Sequence, residues 1–249
     1  MMKQLVRSAF GLLGLHVGWK RSNLDAYGVQ RKVVERNDPV IFDIGAHVGS
    51  ITKHYRSLFP QASISSFEPF RETFETLRNN TSGDALTNVY NLAISDEPGI
   101  VTLNSNASSA TNSLLPTNSR GSSYWGAHVL DTLAPVEVEA TSIDAFCREH
   151  EISHVDILKL DIQGAEYLAL AGAHGLLSSA SVSLVYSELI LAPTYEGQRT
   201  LQDYLQLFDG YGYQLLDLYH PVKRGMRLIQ ADLIFLSAQK MDEFEASLR

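Results

Sequence analysis

The chain carries the sequence VIFDIGAHVG at residues 40–49, and this stretch decides its fold. An apolar run enters a glycine turn, and a segment of helical periodicity follows at 50–58. A buried strand that leads through such a turn into a helix is typical of nucleotide-binding α/β folds. Gly45 permits a tight turn and a close approach of the backbone to a ligand, and Gly49 permits dense packing at the helix start. The sequence therefore predicts a nucleotide-like ligand at this loop.

Outward from this stretch, short apolar runs alternate with helical periods, which indicates strand–helix–strand crossovers and a parallel sheet. Strands are predicted at 40–44, 62–67, 88–93, 136–141, 155–160, 182–187, 213–219 and 231–236. Helices are predicted at 50–58, 71–80, 142–150, after Gly164, and at 199–208. The last two strands have no room for a helix between them, so they form an antiparallel hairpin. The predicted fold class is α/β, with a mostly parallel sheet of about seven strands, helices on both faces and this C-terminal hairpin.

The chain divides by composition into a main domain with two appendages. We predict a helical N-terminal extension at 1–38, the domain itself at 39–240, and a C-terminal tail at 241–249. A loop-rich insertion at about 96–135 interrupts the domain with Pro-Gly and Asn/Ser-rich runs. Long irregular segments inside a domain commonly cover a ligand, so we expect this one to contact the substrate; a surface loop is the alternative.

Charge and cysteine content narrow the classes of partner. A net charge of −8 and a pI near 5.4 offer no attraction to phosphate backbones, so no nucleic-acid partner is predicted. The single cysteine, Cys147, excludes an intramolecular disulfide and fits a reducing compartment, which predicts a cytoplasmic protein. The apolar segment 5–19 is too short to span a bilayer. For it, peripheral membrane contact, packing on the domain and a homodimer contact remain open alternatives.

Two acidic residues at predicted strand ends select the kind of cofactor. Asp43 offers a carboxylate to a ligand with a cationic amine, and Glu68 stands where an acidic residue chelates both ribose hydroxyls. His47 takes the place of the second glycine of the dinucleotide fingerprint, so a pyrophosphate would be crowded. These features favour S-adenosylmethionine over NAD. The predicted cofactor-binding residues are Asp43, Gly45, Ala46, His47, Gly49, Glu68, and, at an adenine-facing position, Ala93 and Ile94, for which core packing is the alternative.

A second informative stretch, VDILKLDIQGAE at 155–166, is an apolar strand that ends in polar groups and opens a helix. Strand alternation places Lys159 and Asp161 on one face, and Asp161 falls at the ligand-binding edge of the sheet. Glu188 ends the following predicted strand, and His220 lies beyond a later one. Converging carboxylates suit a general base, with Asp161 first and His220 as the alternative, or a divalent cation held by Asp161 and Glu188. The alternative is that the Lys159–Asp161 pair has only a structural role.

At these residues the chain resembles the FkbM family of methyltransferases. That family carries an Asp-x-Gly-Ala-x-x-Gly loop, a Phe-Glu-Pro strand end and a Lys-x-Asp-x-Glu-Gly-x-Glu motif, which correspond here to 43–49, 67–69 and 159–166. Gln163 departs from the pattern, because it stands where the family usually has Glu.

The resemblance extends over about 40–236 and implies a Rossmann-like methyltransferase fold. It further implies methyl transfer from S-adenosylmethionine to a hydroxyl on a sugar of a glycan or glycolipid, or on a secondary metabolite. A non-catalytic scaffold that binds S-adenosylmethionine and an NAD-dependent oxidoreductase are the alternatives.

Overall fold

The computed structural model describes residues 24–248. Its strands are β1 (Val40–Ile44), β2 (Ser63–Phe67), β3 (Thr87–Tyr90), β4 (Ala93–Ile94), β5 (Gly99–Asn106), β6 (Thr132–Thr141), β7 (Val155–Leu160), β8 (Val182–Ile190), β9 (Tyr213–Arg224) and β10 (Arg227–Ser237). Its helices are α1 (Ala26–Val33), α2 (Ser50–Leu58), α3 (Arg71–Thr81), α4 (Ser122–Trp125), α5 (Ile143–Glu149), α6 (Glu166–Ala171), α7 (His174–Ser178), α8 (Leu201–Gly210) and α9 (Ala238–Ser247), with a short 3-10 helix at Ser109–Thr111.

The main sheet has seven strands in the order β3-β2-β1-β7-β8-β10-β9. Strands β3, β2, β1, β7 and β8 pair in parallel, whereas β10 runs antiparallel to both β8 and β9. The predicted fold class is thereby confirmed. The hairpin strands are longer than predicted, because pairing continues through the expected loop at 221–227 to a turn at Gly225. The strand order reverses between β1 and β7, and open α/β sheets bind ligands at such a point.

Helices cover both faces of the sheet. Successive strand side chains point to opposite faces, so Ile41 and Phe42 belong to different hydrophobic layers. Phe42 packs with Phe146 of α5, with ring centroids 5.6 Å apart, in the layer that α5 to α8 complete. Ile41 packs in the opposite layer, where α1, α2 and α9 contribute side chains such as Tyr55. Both layers bury β1 and β7, which fixes the ends of these strands for the loops that follow.

A second, three-stranded sheet of order β4-β6-β5 lies where the sequence predicted mainly loops. Ala93 was expected to end the third strand of the main sheet, but it forms β4 together with Ile94 and pairs with β6. The expected edge strand at 136–141 is the longer, central strand β6 of this sheet. Strand β5 was not predicted, because its Asn and Ser residues have low strand propensity and are held by cross-strand pairs such as Leu103 with Val136. Between the two strands, 107–131 contains only the 3-10 helix and α4.

The two appendages are partly helical. Helix α1 begins after Asp25, whose side chain accepts from the Gly28 backbone N–H at 2.7 Å, and it packs on the sheet. The predicted contact of segment 5–19 lies outside the described residues. The expected C-terminal tail at 241–249 starts inside α9, where Met241 is buried, so this segment is part of the packed domain as far as residue 247. Within 24–248, the helices all lack the combination of length and apolarity that a bilayer crossing needs.

Candidate active site

A cavity of about 300 Å³ opens at the carboxyl edge of β1, β2 and β7. We call it the first cavity. Its wall contains seven of the predicted site residues: Gly45, His47, Glu68, Ala93, Ile94, Asp161 and Glu188. The other predicted residues, Asp43, Ala46, Gly49, Lys159 and His220, lie elsewhere. The structure therefore divides the predicted set into residues that face a ligand-sized space and residues that support or neighbour it.

Position 45 requires a glycine because the loop after β7 lies very close to it. Its φ is +74°, and a Cβ atom at this position would lie 1.9 Å from the carbonyl oxygen of Asp161. The backbone N–H groups of Gly45 and Ala46 both donate to the Phe67 carbonyl, at 3.0 Å each. Gly49 has the predicted packing role, because a Cβ there would lie 2.8 Å from Leu77 of α3. The loop after β1 is thus held against the ends of β2 and β7.

Asp43 is not placed to receive a ligand amine directly. Its side chain is 0% exposed, its Oδ1 lies 2.9 Å from Lys159 Nζ, and its Oδ2 accepts from the Thr52 hydroxyl at 2.7 Å. The alternation of β1 turns this side chain into the interior beside α2, away from the first cavity. The predicted grip on a cationic amine is accordingly replaced by a buried ion pair.

Lys159 contacts the loop after β1 through its ammonium group. The Nζ group donates to the carbonyls of Ile44 at 3.2 Å and Gly45 at 2.9 Å, and it lies 3.9 Å from Asp161 Oδ2. Burial by itself lowers the pKa of Lys159, but the carboxylates of Asp43 and Asp161 outweigh it and raise the pKa. An ammonium group has no lone pair with which to accept a proton. Lys159 is therefore a positioning residue for the glycine turn.

Glu68 lies on the wall of the first cavity with most of its carboxylate already used. Oε1 accepts from the Phe70 backbone and the Thr73 hydroxyl, both at 2.9 Å, and Oε2 accepts from the His47 backbone at 3.0 Å. An ionised carboxylate has roughly four acceptor positions, so Oε2 keeps one for a ligand hydroxyl. The geometry supports one hydroxyl contact rather than the predicted chelation of two. Burial raises the pKa of Glu68, and these hydrogen bonds oppose the rise.

The insertion contributes part of the wall of the first cavity. His47, at φ +48°, places its ring Nε2 2.9 Å from the hydroxyl of Ser109 in the 3-10 helix. Asn112 lines the cavity, and its side-chain Nδ2 has no hydrogen-bond partner in the described chain. The apolar part of the wall includes Leu92, Ala93, Ile94, Leu103 and Leu114. The insertion thus lines a ligand-sized space, and its contact with the substrate stays a prediction.

Gln163 connects the two cavity-facing carboxylates. Its Nε2 donates to Asp161 Oδ1 at 3.2 Å and to Glu188 Oε2 at 2.9 Å, while its Oε1 accepts from the Tyr195 hydroxyl at 3.1 Å. Gln230 donates to the other oxygen of Glu188 at 2.5 Å. The sequence marked Gln163 only as a departure from a family pattern, and the structure gives it a bridging role.

Two acidic groups at this edge, Glu166 and Glu188, have a pKa raised mainly by burial. Burial, together with the charges of Asp161 and Glu166, raises the pKa of Glu188 well above its usual range. Burial raises the pKa of Glu166 to about 7. Glu166 Oε1 accepts from the backbones of Ile162 at 2.9 Å and Gly164 at 3.2 Å, and so closes the loop after β7. Across 24–248, no three His, Cys, Asp or Glu side chains are grouped to hold a metal ion, so the predicted cation gains no support.

A second cavity of about 230 Å³ adjoins the first and shares Asp161 and Glu188 with it. His220 lies on its wall, with Nδ1 2.7 Å from Asp232 Oδ2. The same Asp232 oxygen accepts from the Tyr186 hydroxyl at 2.5 Å. Because Asp232 holds the Nδ1 side of the ring, Nε2 is the nitrogen available to accept a proton.

Sequence reasoning missed Asp232 and Gln230. Both lie on β10, two residues apart in a run of apolar residues, and they occupy positions of the same strand face. The sequence feature that could have identified them is a pair of polar side chains on one face of an otherwise apolar strand. Without the pairing of β10 with β8, nothing connected them with Glu188.

Comparison with known proteins gives a consistent family. The sequence profile described as "Methyltransferase FkbM domain" matches residues 43–215. The "2-O-methyltransferase NoeI" of Sinorhizobium fredii is 28% identical over 194 residues, which are 74% of this chain and 77% of that protein.

Two further relatives match over shorter or more divergent stretches. The "31-O-demethyl-FK506 methyltransferase FkbM" of Streptomyces tacrolimicus is 23% identical over 214 residues, covering 78% of this chain and 80% of that protein. The "Hexuronic acid methyltransferase AglP" of Haloferax volcanii is 24% identical over 156 residues, covering 59% of this chain and 55% of that protein.

Proposed function

The chain belongs to the FkbM family of methyltransferases, and from that premise we propose that it transfers a methyl group from S-adenosylmethionine to a hydroxyl oxygen of a sugar or hydroxylated metabolite. The names of the relatives support this chemistry. One is a 2-O-methyltransferase, one acts on 31-O-demethyl-FK506, and one acts on hexuronic acid. The NAD-dependent alternative loses its basis with the family assignment.

The observation that carries the proposal is the junction of two cavities at Asp161 and Glu188. Group transfer needs a donor and an acceptor on either side of one reacting centre. The first cavity has the features of a cofactor site, and the second has a polar wall with a histidine–aspartate pair. A non-catalytic scaffold would not need the second cavity.

The wall of the first cavity fits S-adenosylmethionine on three counts. Glu68 keeps one acceptor position for a ribose hydroxyl, and the unpartnered Nδ2 of Asn112 is a donor that a ring nitrogen would satisfy. The apolar wall around Ile94 suits an adenine ring. When bound, S-adenosylmethionine supplies a methyl group that its sulfonium makes electrophilic.

The residues at the junction hold the acceptor hydroxyl and take its proton. Asp161 lies in both cavities, and Gln163 fixes its orientation through the 3.2 Å hydrogen bond. We assign Asp161 as the first candidate base, because the attacking oxygen must lie where the first and second cavities meet. His220, oriented by Asp232, is the second candidate, since it faces only the acceptor side. Glu188 accepts hydrogen bonds from Gln163 and Gln230 and so holds these two side chains at the junction.

Calorimetry tests the cofactor site. S-adenosylmethionine and S-adenosylhomocysteine should bind the wild type, and Glu68→Gln should weaken both by at least about tenfold because a charge-assisted hydrogen bond is lost. Glu72→Gln is the matched control, because Glu72 lies exposed on α3 nearby and should leave affinity unchanged. Equal affinities for all three proteins would contradict the assignment.

Turnover with labelled cofactor tests the reaction. Against a panel of sugars and hydroxylated metabolites, removal of the general base should lower kcat by roughly 10²–10⁴-fold with cofactor affinity unchanged. Asp161→Asn and His220→Gln decide between the two candidates. Tight cofactor binding without transfer to any hydroxyl, including those of glycan fragments, would favour the scaffold alternative.

A further inference from the structure

A third cavity, of about 420 Å³, lies beside the active site and concentrates positive charge. Its wall includes the side chains of Arg120, Arg199 and Arg227, and we call it the arginine cavity. None of the three forms an ion pair with an acidic side chain in the part of the chain described. Glu196 is the one acidic residue on the wall, and Asp203 stands near Arg199. In a chain of net charge −8, such a surplus of arginines in one concavity calls for a ligand.

The arginine cavity adjoins the reacting centre. Ile190 lines it and lies two residues beyond Glu188 on β8, so the two side chains share one face about 7 Å apart along the strand. Tyr195 also lines the cavity, and its hydroxyl donates to Gln163 between the two carboxylates. The arginine cavity thus lies one strand repeat along β8 from a residue of the junction of the first two cavities.

Aromatic rings hold two of the guanidinium groups in place. Arg227 donates to the Tyr124 hydroxyl at 2.7 Å, and its guanidinium carbon lies 5.2 Å from the centroid of that ring. The guanidinium of Arg199 lies 4.8 Å from the centroid of the Tyr167 ring. Stacking occupies the face of a guanidinium and leaves its N–H groups free to donate in the plane. Planar donors of this kind match the paired oxygens of carboxylates and phosphates.

We propose that the arginine cavity binds an anionic group of the acceptor, a carboxylate or a phosphate, while a neighbouring hydroxyl lies at the Asp161 junction. The acceptor class is then an acidic sugar, either a uronic acid or a phosphorylated sugar. This inference rests on the proposed O-methyl transfer for its meaning, but the anion site itself is testable without turnover.

Binding of three matched probes to the protein tests the site. Glucuronate, glucose 6-phosphate and glucose are titrated by ligand-observed NMR, with and without saturating S-adenosylhomocysteine. At least one anion should bind at least about tenfold more tightly than glucose, and added KCl should weaken only the anions. The preferred anion identifies the carboxylate or the phosphate as the recognised group.

Variants connect the binding with the named residues. Arg120→Gln/Arg227→Gln should remove the preference for the anion, whereas Arg148→Gln, which removes an exposed arginine of α5, should keep it. Glu196→Gln should tighten anion binding several-fold, because it removes the acid on the wall. This last change is at an exposed side chain and tests the site without loss of folding.

The outcomes separate this inference from the proposed function. Equal binding of the three probes, or an anion preference that survives the double variant, overturns the arginine cavity as an anion site. Failure of S-adenosylhomocysteine to bind in the same samples contradicts the proposed function and leaves the anion result to stand alone. An anion preference that depends on Arg120 and Arg227 and increases in Glu196→Gln supports the site.

Discussion

Removal of the buried lysine should destabilise the protein more than removal of its partner. In Lys159→Met, Asp43 loses the ammonium group 2.9 Å away and stays fully buried with only the Thr52 hydroxyl to bond. An uncompensated buried charge costs about 3–5 kcal/mol of unfolding free energy. Asp43→Asn leaves Lys159 its carbonyl partners and Asp161, so we expect a smaller loss of about 2 kcal/mol.

Urea unfolding of both single variants and the double variant measures the coupling. The losses should fall short of additivity by at least about 1.5 kcal/mol, because the two residues neutralise each other. Calorimetry with S-adenosylhomocysteine then tells whether Asp43 supports the glycine turn or contacts the ligand itself. If Asp43 acts through the glycine turn, the double variant should bind S-adenosylhomocysteine more tightly than Lys159→Met does. Lys159→Met leaves the Asp43 carboxylate buried and unpaired beneath that turn.

Two results would refute this reasoning. Additive losses, within about 0.5 kcal/mol, would mean that the two residues do not form a coupled pair. Wild-type stability of Asp43→Asn combined with abolished cofactor binding would mean that Asp43 contacts the ligand itself.

Two further predictions concern the loops after β1 and β7. Gly45→Ala should lower stability by about 2 kcal/mol or more and weaken S-adenosylhomocysteine at least about tenfold, since its Cβ would lie 1.9 Å from the Asp161 carbonyl oxygen; Gly83→Ala, with open space around it, is the control in urea unfolding and calorimetry. Because burial raises the pKa of Glu166 from 4.5 to about 7, the folded protein holds a proton that the unfolded chain releases, so stability falls as pH rises through this interval. Glu166→Gln should therefore match the wild type at pH 4 and exceed it on the order of 2 kcal/mol at pH 8. Parallel pH profiles of unfolding for these two proteins would show that Glu166 is not the group responsible.

The sequence was most informative for strands and helices whose own pattern of apolar residues shows which face is buried. Strands β1 and β7 and helix α2 occupy the predicted residues, because their apolar periodicity matches the layers that bury them. The glycine turn and the Phe-Glu-Pro strand end were predictable for the same reason, since each is local to one strand end.

Pairing across distant segments was not predictable in this way. Strand β5 depends on β6, and Ala93 and Ile94 leave the main sheet because β6 offers them a partner. The buried position of Asp43 likewise follows from Lys159, which is 116 residues away and approaches through the β1–β7 register. The local sequence at a strand end does not show whether its carboxylate faces a ligand or a lysine.

Some residues with a strained backbone are also residues of the two cavities. Within 24–248, six residues other than glycine have positive φ, and three of them, His47, Gln163 and His220, line the first or second cavity. A left-handed backbone costs a non-glycine residue about 1 kcal/mol or more, so its surroundings must hold it there. His47 bonds Glu68 and Ser109, Gln163 bonds two carboxylates, and His220 bonds Asp232. Each strained residue is thus fixed by groups of the site itself, which is the arrangement that a preorganised reaction centre requires.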